Sequence, residues 1–299
     1  MSENKKIKRS RIDVITDTAI YFILATGILL VVYPLYFVVI ASFSDPFAVA
    51  GGDMIFFPVR PTVAGYKMIF DYRAIWTGYG NTIIYTLCST ALSLFLTLTI
   101  AYPLSVGRFS GRTPILIYLM ITMYISGGLI PTFILVNNLG LTDTRMAVIL
   151  LGSVGVFSII ITRTFLQTNI PSELEDAARI DGCSPIRFFI TCVIPLSSAI
   201  IAVLTLWTAV GTWNDFFTAL IYLRDARLYP LQLIVRAILF ISTMPLGDQM
   251  DFEEQEMMRM AAEQIKYGVI IVSSVPLLML YPFLQKFFIK GIMIGSIKG

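Results

Sequence analysis

Six long stretches of this chain carry no charged residue, and they constrain its fold more than any other feature. The stretches are 17 to 34 residues long, and a helix needs about 20 apolar residues to cross the hydrocarbon core of a membrane. Because backbone polar groups find no water in lipid, the chain must be helical where it crosses. We therefore predict an all-α polytopic membrane protein with six transmembrane helices, placed within residues 18–44, 74–107, 113–142, 146–162, 188–214 and 267–285.

The composition agrees with a membrane protein and removes several classes of functional site. Hydrophobic residues make up 57% of the chain and charged residues 14%, whereas soluble domains carry about a quarter charged residues. The sequence has no histidine, which excludes imidazole general bases, histidine triads and most zinc sites. The three cysteines, Cys88, Cys183 and Cys192, match no zinc or redox spacing, so we expect free thiols and no metal site.

The distribution of lysine and arginine predicts the orientation in the membrane. Six spans place both termini on one side, and 13 of the 22 basic residues fall on that side. Since basic residues concentrate in cytoplasmic loops, both termini should be cytoplasmic. The first apolar stretch is too long for a signal peptide and no small-residue cleavage site ends it, so we expect it to be retained.

The two outer loops and one short apolar segment complete the predicted topology. The loop over residues 44–78 should be a folded connector, because it contains the paired glycines Gly51 and Gly52 with Pro58 and Pro61. In the loop over residues 224–266, the Met-rich amphipathic stretch 251–260 favours a helix that covers the bundle. The segment 237–247 is too short to span, so we expect it to be interfacial or re-entrant.

The most informative polar segment is an acidic hairpin at residues 171–190. Ser172 and Glu175 have the spacing of a capping box, which predicts a helix that begins at Glu173. Gly182 can adopt the left-handed conformation that ends a helix. Such a segment cannot lie in lipid, so it must face water or a partner protein.

A second short helix should follow the turn. Ser184 can act as its N-cap, and Pro185 suits the first helical position. In the first helix Ala177 and Ala178 leave one face thin enough to enter a groove on another protein. These residues by themselves indicate a rigid docking element, with a plain structural loop as the alternative.

The hairpin resembles the coupling motif of permease subunits of ABC importers. That motif runs Glu-Ala-Ala, three residues, Gly, and about nine residues later an apolar residue with proline. The matching residues are Asp176-Ala177-Ala178, Asp181-Gly182 and Ile194-Pro195-Leu196. The sequence departs from the motif with Asp at 176 in place of Glu and Cys at 183 in place of a small residue.

Two other segments are similar to carbohydrate permeases of the maltose-transporter type. Trp213-Asn214-Asp215-Phe216 looks like a segment late in their fifth helix, and Gly291–Gly299 looks like their glycine-punctuated tail. The form Tyr281–Lys286 before the tail looks closest to permeases for complex oligosaccharides. The resemblance covers most of the chain, with the common domain from about residue 79 to residue 282.

The resemblance implies a type I ABC importer permease fold and a division of the chain into four parts. These are a cytoplasmic N-terminal tail (1–17), the first transmembrane helix with its outer loop (18–78), the importer transmembrane domain with the coupling hairpin 171–190 (79–282), and the end of the last helix with a cytoplasmic tail (283–299).

The resemblance also implies partners. The chain has no Gly-x-x-x-x-Gly-Lys-Ser/Thr phosphate loop, so it should hydrolyse no ATP itself. Two ATPase subunits would bind ATP and Mg, and the chain itself would hold no cofactor. A second permease subunit, an extracellular substrate-binding protein and an oligosaccharide complete the expected assembly in a bacterial cytoplasmic membrane, with no role for nucleic acid.

Three sets of candidate site residues follow. By resemblance, the ATPase-coupling residues are Glu175, Asp176, Ala177, Ala178, Asp181 and Gly182, and the C-terminal tail contacts the ATPase interface through Gly295, Lys298 and Gly299. Candidates for the substrate path are polar or aromatic residues near the outer half of the spans, for which helix packing and interfacial anchoring are the alternatives. They are Asn81, Tyr85, Tyr124, Trp213, Asn214 and Asp215.

Three other functions compete with a sugar ABC importer. An ion-coupled secondary transporter would show an inverted repeat, broken helices and ionisable residues at mid-membrane, whereas the stretches here are free of charge. A membrane-embedded enzyme would need an acidic or histidine cluster, for which the outer residues Asp251, Glu253, Glu254 and Glu256 are the candidates. An ABC importer permease for a non-sugar solute is the third.

Overall fold

The computed structural model describes residues 11–241, 262–279 and 282, and its regular structure is helical. No β-strand occurs in those residues, in agreement with the predicted all-α class. A π-helical turn, Phe189–Val193, links α10 to α11, and a 3₁₀ turn, Ala226–Leu228, precedes α14. The helices are α1 (Arg11–Ser42), α2 (Pro46–Ala50), α3 (Ala64–Asp71), α4 (Arg73–Ser105), α5 (Arg112–Tyr124), α6 (Leu129–Asn138), α7 (Arg145–Leu151), α8 (Val156–Asn169), α9 (Ser172–Ile180), α10 (Pro185–Phe188), α11 (Ile194–Leu196), α12 (Ser198–Asn214), α13 (Phe217–Tyr222), α14 (Leu231–Ile241) and α15 (Ala262–Met279).

Long apolar helices occur where the sequence predicts membrane spans. Within the described residues, α1, α4 and α15 are each long and apolar enough to cross a membrane. Three helix pairs pass the same test together: α5 with α6, α7 with α8, and the arm α10–α11 with α12. Each of the six predicted stretches overlaps one of these elements, so the structure accommodates up to six spans.

The three pairs are bent, although the sequence pattern suggested continuous helices. The helix axes differ by 112° between α5 and α6, by 46° between α7 and α8, and by 77° between the α10–α11 arm and α12. The first break contains Gly128 at a φ of 84°, which favours glycine. The second break lies between Gly152 and Gly155. A charge-free stretch reports hydrophobicity and not direction, so it could not reveal these bends.

The fourth predicted stretch is shorter than the helices it represents. It ends at Arg163 in the sequence, but α8 continues through this residue to Asn169. The Arg163 Nε donates a hydrogen bond to the carbonyl of Leu104 at 3.2 Å, near the end of α4. An arginine with such a partner can lie inside a helix, so the position of Arg163 predicts the end of the helix wrongly.

The described residues fall into two compact units, the first of which comprises residues 11–71, 241 and 262–272. Its core contains Ile40 and Ala41 at the end of α1, with Met54 from the following connector. A Cβ atom added to Gly268 would lie 2.8 Å from Cδ1 of Ile69, so α3 and α15 approach closely there. The connector after α1 is therefore folded, as predicted.

The second unit comprises residues 72–240, 273–279 and 282, and α4 lies at its centre. This helix packs against α7, α8 and α12. Small polar side chains lie in these contacts: Ser89 donates to the carbonyl of Ile149 at 3.3 Å, and Thr208 donates to Ser93 at 3.4 Å. Small residues allow membrane helices to approach closely and to hydrogen bond across the contact. One end of α4 thereby meets the hairpin, and the other end meets the segment before α14.

Candidate functional site

The predicted helix–turn–helix is present, and its turn is closed by backbone hydrogen bonds. Gly182 has a φ of 74°, in the left-handed region. The N–H of Cys183 donates to the carbonyl of Ala178 at 2.9 Å, and that of Gly182 donates to the carbonyl of Arg179 at 3.0 Å. This pair of bonds is the Schellman motif that ends many helices. The turn is rigid because its backbone groups are satisfied locally.

The sequence predicts two helix starts in the hairpin, and the structure confirms only the second. Ser184 accepts a hydrogen bond from the N–H of Arg187 at 3.3 Å, and Pro185 is the first helical residue, as predicted. The capping box was wrong, because α9 begins one residue early at Ser172 and has no side-chain cap. The carboxylate of Glu175 lies instead near an arginine outside the hairpin.

That arginine is Arg108, in the loop between α4 and α5, and we call its contacts with α9 the arginine clamp. Its Nη2 lies 2.6 Å from Oδ1 of Asp176 and 3.5 Å from Oε1 of Glu175. The side chains of Arg108 and Asp176 are 51% and 61% exposed, so solvent screens the pair. Two of the predicted coupling carboxylates therefore have a partner within their own chain.

The faces of α9 differ from the simple small-residue face of the sequence. Ala178 is partly buried against the cluster that contains Leu166 and Phe188, so it faces the helix bundle. Ala177 is exposed. Large apolar side chains are exposed on the same hairpin, with Ile180 at 87% and Ile186 at 74%. The hairpin thus presents an apolar surface with acidic neighbours, as expected of a docking element.

At the other end of α4, Asn81 and Tyr85 bind protein groups. The hydroxyl of Tyr85, which is 1% exposed, donates to the carbonyl of Leu228 at 2.8 Å. Asn81 donates to the carbonyls of Arg227 (2.7 Å) and Tyr229 (3.1 Å). These two predicted path residues hold the segment before α14 against α4. Their contact with substrate stays a prediction.

Among the predicted residues of the fifth span, Trp213 and Asp215 also have structural partners. The Trp213 Nε1 donates to the carbonyl of Ser273 at 3.0 Å, and its ring packs edge-on against Tyr79. Oδ1 of Asp215 accepts from the N–H of Thr218 at 3.1 Å. Both side chains are therefore committed to packing and to the start of α13.

Asn214 is the predicted path residue that the structure leaves accessible beside other functional groups. It is exposed, and its Oδ1 lies 3.4 Å from Nε2 of Gln232 on α14. Tyr124 is also exposed, at 76%, but it lies at the end of α5. The tail residues Gly295, Lys298 and Gly299 lie outside the described residues, as do the acidic cluster and Met-rich stretch of the second outer loop.

Sequence reasoning missed Arg236, which lies on α14 one turn after Gln232, the residue that donates to Oδ1 of Asn214. Its guanidinium carbon is 5.0 Å from the ring centroid of Phe216 and 6.0 Å from that of Phe240. The signal that could have found it is a single charge within the apolar sequence Leu-Gln-Leu-Ile-Val-Arg-Ala-Ile-Leu-Phe. We name Arg236, Asn214, Gln232, Phe216 and Phe240 the α14 cluster.

Two carboxylates order the loop between α13 and α14. The backbone N–H groups of Asp225 and Arg224 donate to Oδ1 of Asp143, each at 2.8 Å, and lower the pKa of that carboxyl. Hydrogen bonds from the side chain and backbone of Arg227 likewise lower the pKa of Asp225. Both groups are therefore ionised at neutral pH. Among the described residues, no group of three or more His, Cys, Asp or Glu could hold a metal ion.

Comparison with known proteins decides the family. No family model matches the sequence. The chain is 40% identical over 271 residues to protein LplC of Bacillus subtilis, with 90% of each chain covered. It is 39% identical over 284 residues to the polygalacturonan/rhamnogalacturonan transport system permease protein YtcP of the same organism, with 95% of this chain and 98% of the relative covered. The chain belongs to the permease subunits of ABC importers for sugars and oligosaccharides.

Two further likenesses agree with this membership. The permease is 30% identical over 275 residues to the arabinooligosaccharides transport system permease protein AraQ of Halalkalibacterium halodurans, covering 90% of this chain and 91% of the relative. A solved bacterial ABC transporter involved in the import of the acidic polysaccharide alginate contains a similar chain, with a TM-score of 0.85 and 28% identity. The match covers 95% of the permease and 100% of that chain. The family decides against an ion-coupled secondary transporter.

Proposed function

We propose that this permease moves an oligosaccharide into the cytoplasm by alternating access, driven by ATP hydrolysis on separate ATPase subunits. The hairpin carries this proposal, because it is rigid, exposed and matches the coupling motif of the family. An ATPase subunit would hold the hairpin in a groove and move it as a rigid body when ATP closes the ATPase pair. Movement of a rigid element of this kind is one of the established routes to switching between two states.

The exposure of the hairpin suggests which residues meet the ATPase subunit. Ile180 and Ile186 supply apolar contact area, and Ala177 permits close approach. Asp181 and Gly182 lie in the exposed turn between the two helices. Glu175, Asp176 and Ala178, in contrast, contact the chain's own bundle and loop, so their role is to orient the hairpin for docking.

The family and the distribution of charge support a proposal for the whole assembly. The permease would cross a bacterial cytoplasmic membrane six times, with both termini in the cytoplasm and the transmembrane domain at residues 79–282. A second permease subunit completes a heterodimer, two ATPase subunits bind ATP and Mg, and an extracellular binding protein delivers the sugar. The tail residues Gly295, Lys298 and Gly299 would reach toward the ATPase interface.

The names of the relatives favour an oligosaccharide as the cargo. One relative is named for polygalacturonan and rhamnogalacturonan, another for arabinooligosaccharides. The similar chain of known structure comes from an importer of an acidic polysaccharide. These names support a sugar cargo over an amino acid or peptide.

ATP hydrolysis by the reconstituted complex tests the proposal. The permease is copurified with its partner permease and ATPase subunits and placed in lipid with a binding protein, either empty or loaded with oligosaccharide. We expect the loaded binding protein to stimulate hydrolysis and to be required for uptake of labelled sugar into proteoliposomes. Uptake that does not require ATP, or that is driven by an ion gradient, would refute the proposal. An ATPase variant that binds but does not hydrolyse ATP serves as the control.

A further inference from the structure

Helix α14 carries one charged residue in an otherwise mostly apolar sequence. Arg236 is exposed, and no carboxylate of the described residues forms an ion pair with it. A charged side chain in an apolar helix of a membrane protein is costly, so it is kept where it meets a ligand, a partner or water. The positive charge of Arg236 is therefore available to an anion.

The neighbours of Arg236 form a surface of the kind that binds sugars. The guanidinium carbon lies 5.0 Å from the ring centroid of Phe216, within the range of a cation–π contact. Gln232, Arg236 and Phe240 are spaced four residues apart, so they share one face of α14. Opposite Gln232, at 3.4 Å, lies the exposed amide of Asn214 at the end of α12.

These groups together match an acidic sugar better than a neutral one. A guanidinium presents parallel N–H donors to a carboxylate, and contact with an aromatic face leaves those donors free at its edge. Asn214 donates through Nδ2 to the carbonyl of Val210 at 2.9 Å and accepts from Gln232 at 3.4 Å. Each amide nitrogen has a second N–H and each amide oxygen a second lone pair, which can bind sugar hydroxyls. We infer that the α14 cluster binds a uronate residue of the cargo, with Arg236 on its carboxylate.

A lipid phosphate could approach the same guanidinium, but the surroundings favour a sugar. The cluster includes two amides whose oxygens accept hydrogen bonds, and an ionised lipid phosphate has no proton to donate to them, whereas a sugar hydroxyl has one. Aromatic surface and amides beside an arginine suit a ring with hydroxyls and a carboxylate.

The inference rests on the proposed function, and direct binding tests it separately from transport. The complex in nanodiscs, without binding protein, is dialysed against radiolabelled tetragalacturonate or its methyl ester, which keeps the rings and removes the charge. We expect the wild type to bind the acid at least about tenfold more tightly than the ester, as for a charge-assisted hydrogen bond. Arg236→Gln should reduce this preference to within about twofold.

Two further variants give the comparison its controls. Arg236→Lys keeps the charge but loses the bidentate geometry, so it should retain part of the preference. Arg224→Gln removes a positive charge from an exposed residue outside the cluster and should change neither affinity. Melting temperatures of all variants are measured to confirm that the complex is folded.

The outcomes separate the inference from the proposed function. The inference is overturned if Arg236→Gln keeps the preference for the acid, or if the wild type binds acid and ester alike or binds neither. It is also overturned if the variant changes only the stability in anionic lipid, which would make Arg236 a lipid anchor. In all these cases stimulation of ATP hydrolysis by a loaded binding protein would leave the proposed function standing.

Discussion

The hairpin turn provides the sharpest test of coupling, through substitutions at Gly182. Its φ of 74° disfavours any residue with a Cβ atom, at a cost of roughly 1–2 kcal/mol. An added Cβ would find no atom of the chain within 4 Å, so the backbone is the whole cost in the permease alone. Gly182→Asn should be tolerated, since Asn adopts this conformation readily. Gly182→Trp adds a large side chain where we place the ATPase subunit, and it should abolish sugar-stimulated ATP hydrolysis.

A matched control separates the backbone from the docking surface. Gly140 has a φ of 68° and equally open surroundings, but it lies in the loop after α6. Gly140→Trp should cost the same 1–2 kcal/mol of backbone strain and leave coupling intact. The assay compares stimulated ATP hydrolysis, sugar uptake and copurification of the ATPase subunits. Normal coupling in Gly182→Trp, or equal loss in both tryptophan variants, would refute the docking role of the turn.

Three further predictions concern the arginine clamp, the α4 contacts and the acidic loop. Arg108→Gln should change the unfolding free energy by less than about 1 kcal/mol, because its pair with Asp176 is exposed. It should nevertheless weaken stimulated ATP hydrolysis, with recovery in the charge-exchanged pair Arg108→Asp, Asp176→Arg. Tyr85→Phe should destabilise the permease by about 1 kcal/mol, because the carbonyl of Leu228 loses its donor. Since the pKa of Asp143 is lowered from 3.8, its stabilisation is complete above that value and lost as pH falls through the lowered pKa. Thermal melting below about pH 4 should therefore depend less on pH in Asp143→Asn than in the wild type.

Local features of the hairpin could be predicted because their signals lie within a few residues of one another. Gly182, Ser184 and Pro185 act through backbone conformation and neighbouring N–H groups, and the structure confirms their roles. The capping box failed although its spacing was right, because Arg108 draws the carboxylate of Glu175 away. That arginine is far along the chain, and no local pattern records its approach.

The predicted substrate-path residues show even more strongly that a local pattern does not record contacts with distant residues. Polarity and predicted depth selected Asn81 and Tyr85, yet both bind backbone carbonyls more than 140 residues away. Arg236 was passed over because a single charge in the second outer loop looked like ordinary loop composition. Its meaning depends on α14 lying beside the end of α12, which only the packed structure shows. The sequence thus predicted the all-α class and the hairpin, whereas the contact partners of individual side chains could be identified only in the packed structure.

The bend at Ser197 makes α12 a lever between the hairpin arm and the α14 cluster. Ser197 is fully buried, and its hydroxyl donates to the carbonyl of Val193 at 2.6 Å, so the elbow is stiff. The helix beyond it has 17 residues and ends at Asn214. At 1.5 Å per residue its length is about 26 Å. If the hairpin arm and α12 rotate together by about 10° about Ser197, Asn214 moves through about 4–5 Å. A small displacement on the ATPase side would thereby separate Asn214 from Gln232, and the α14 cluster would release the sugar.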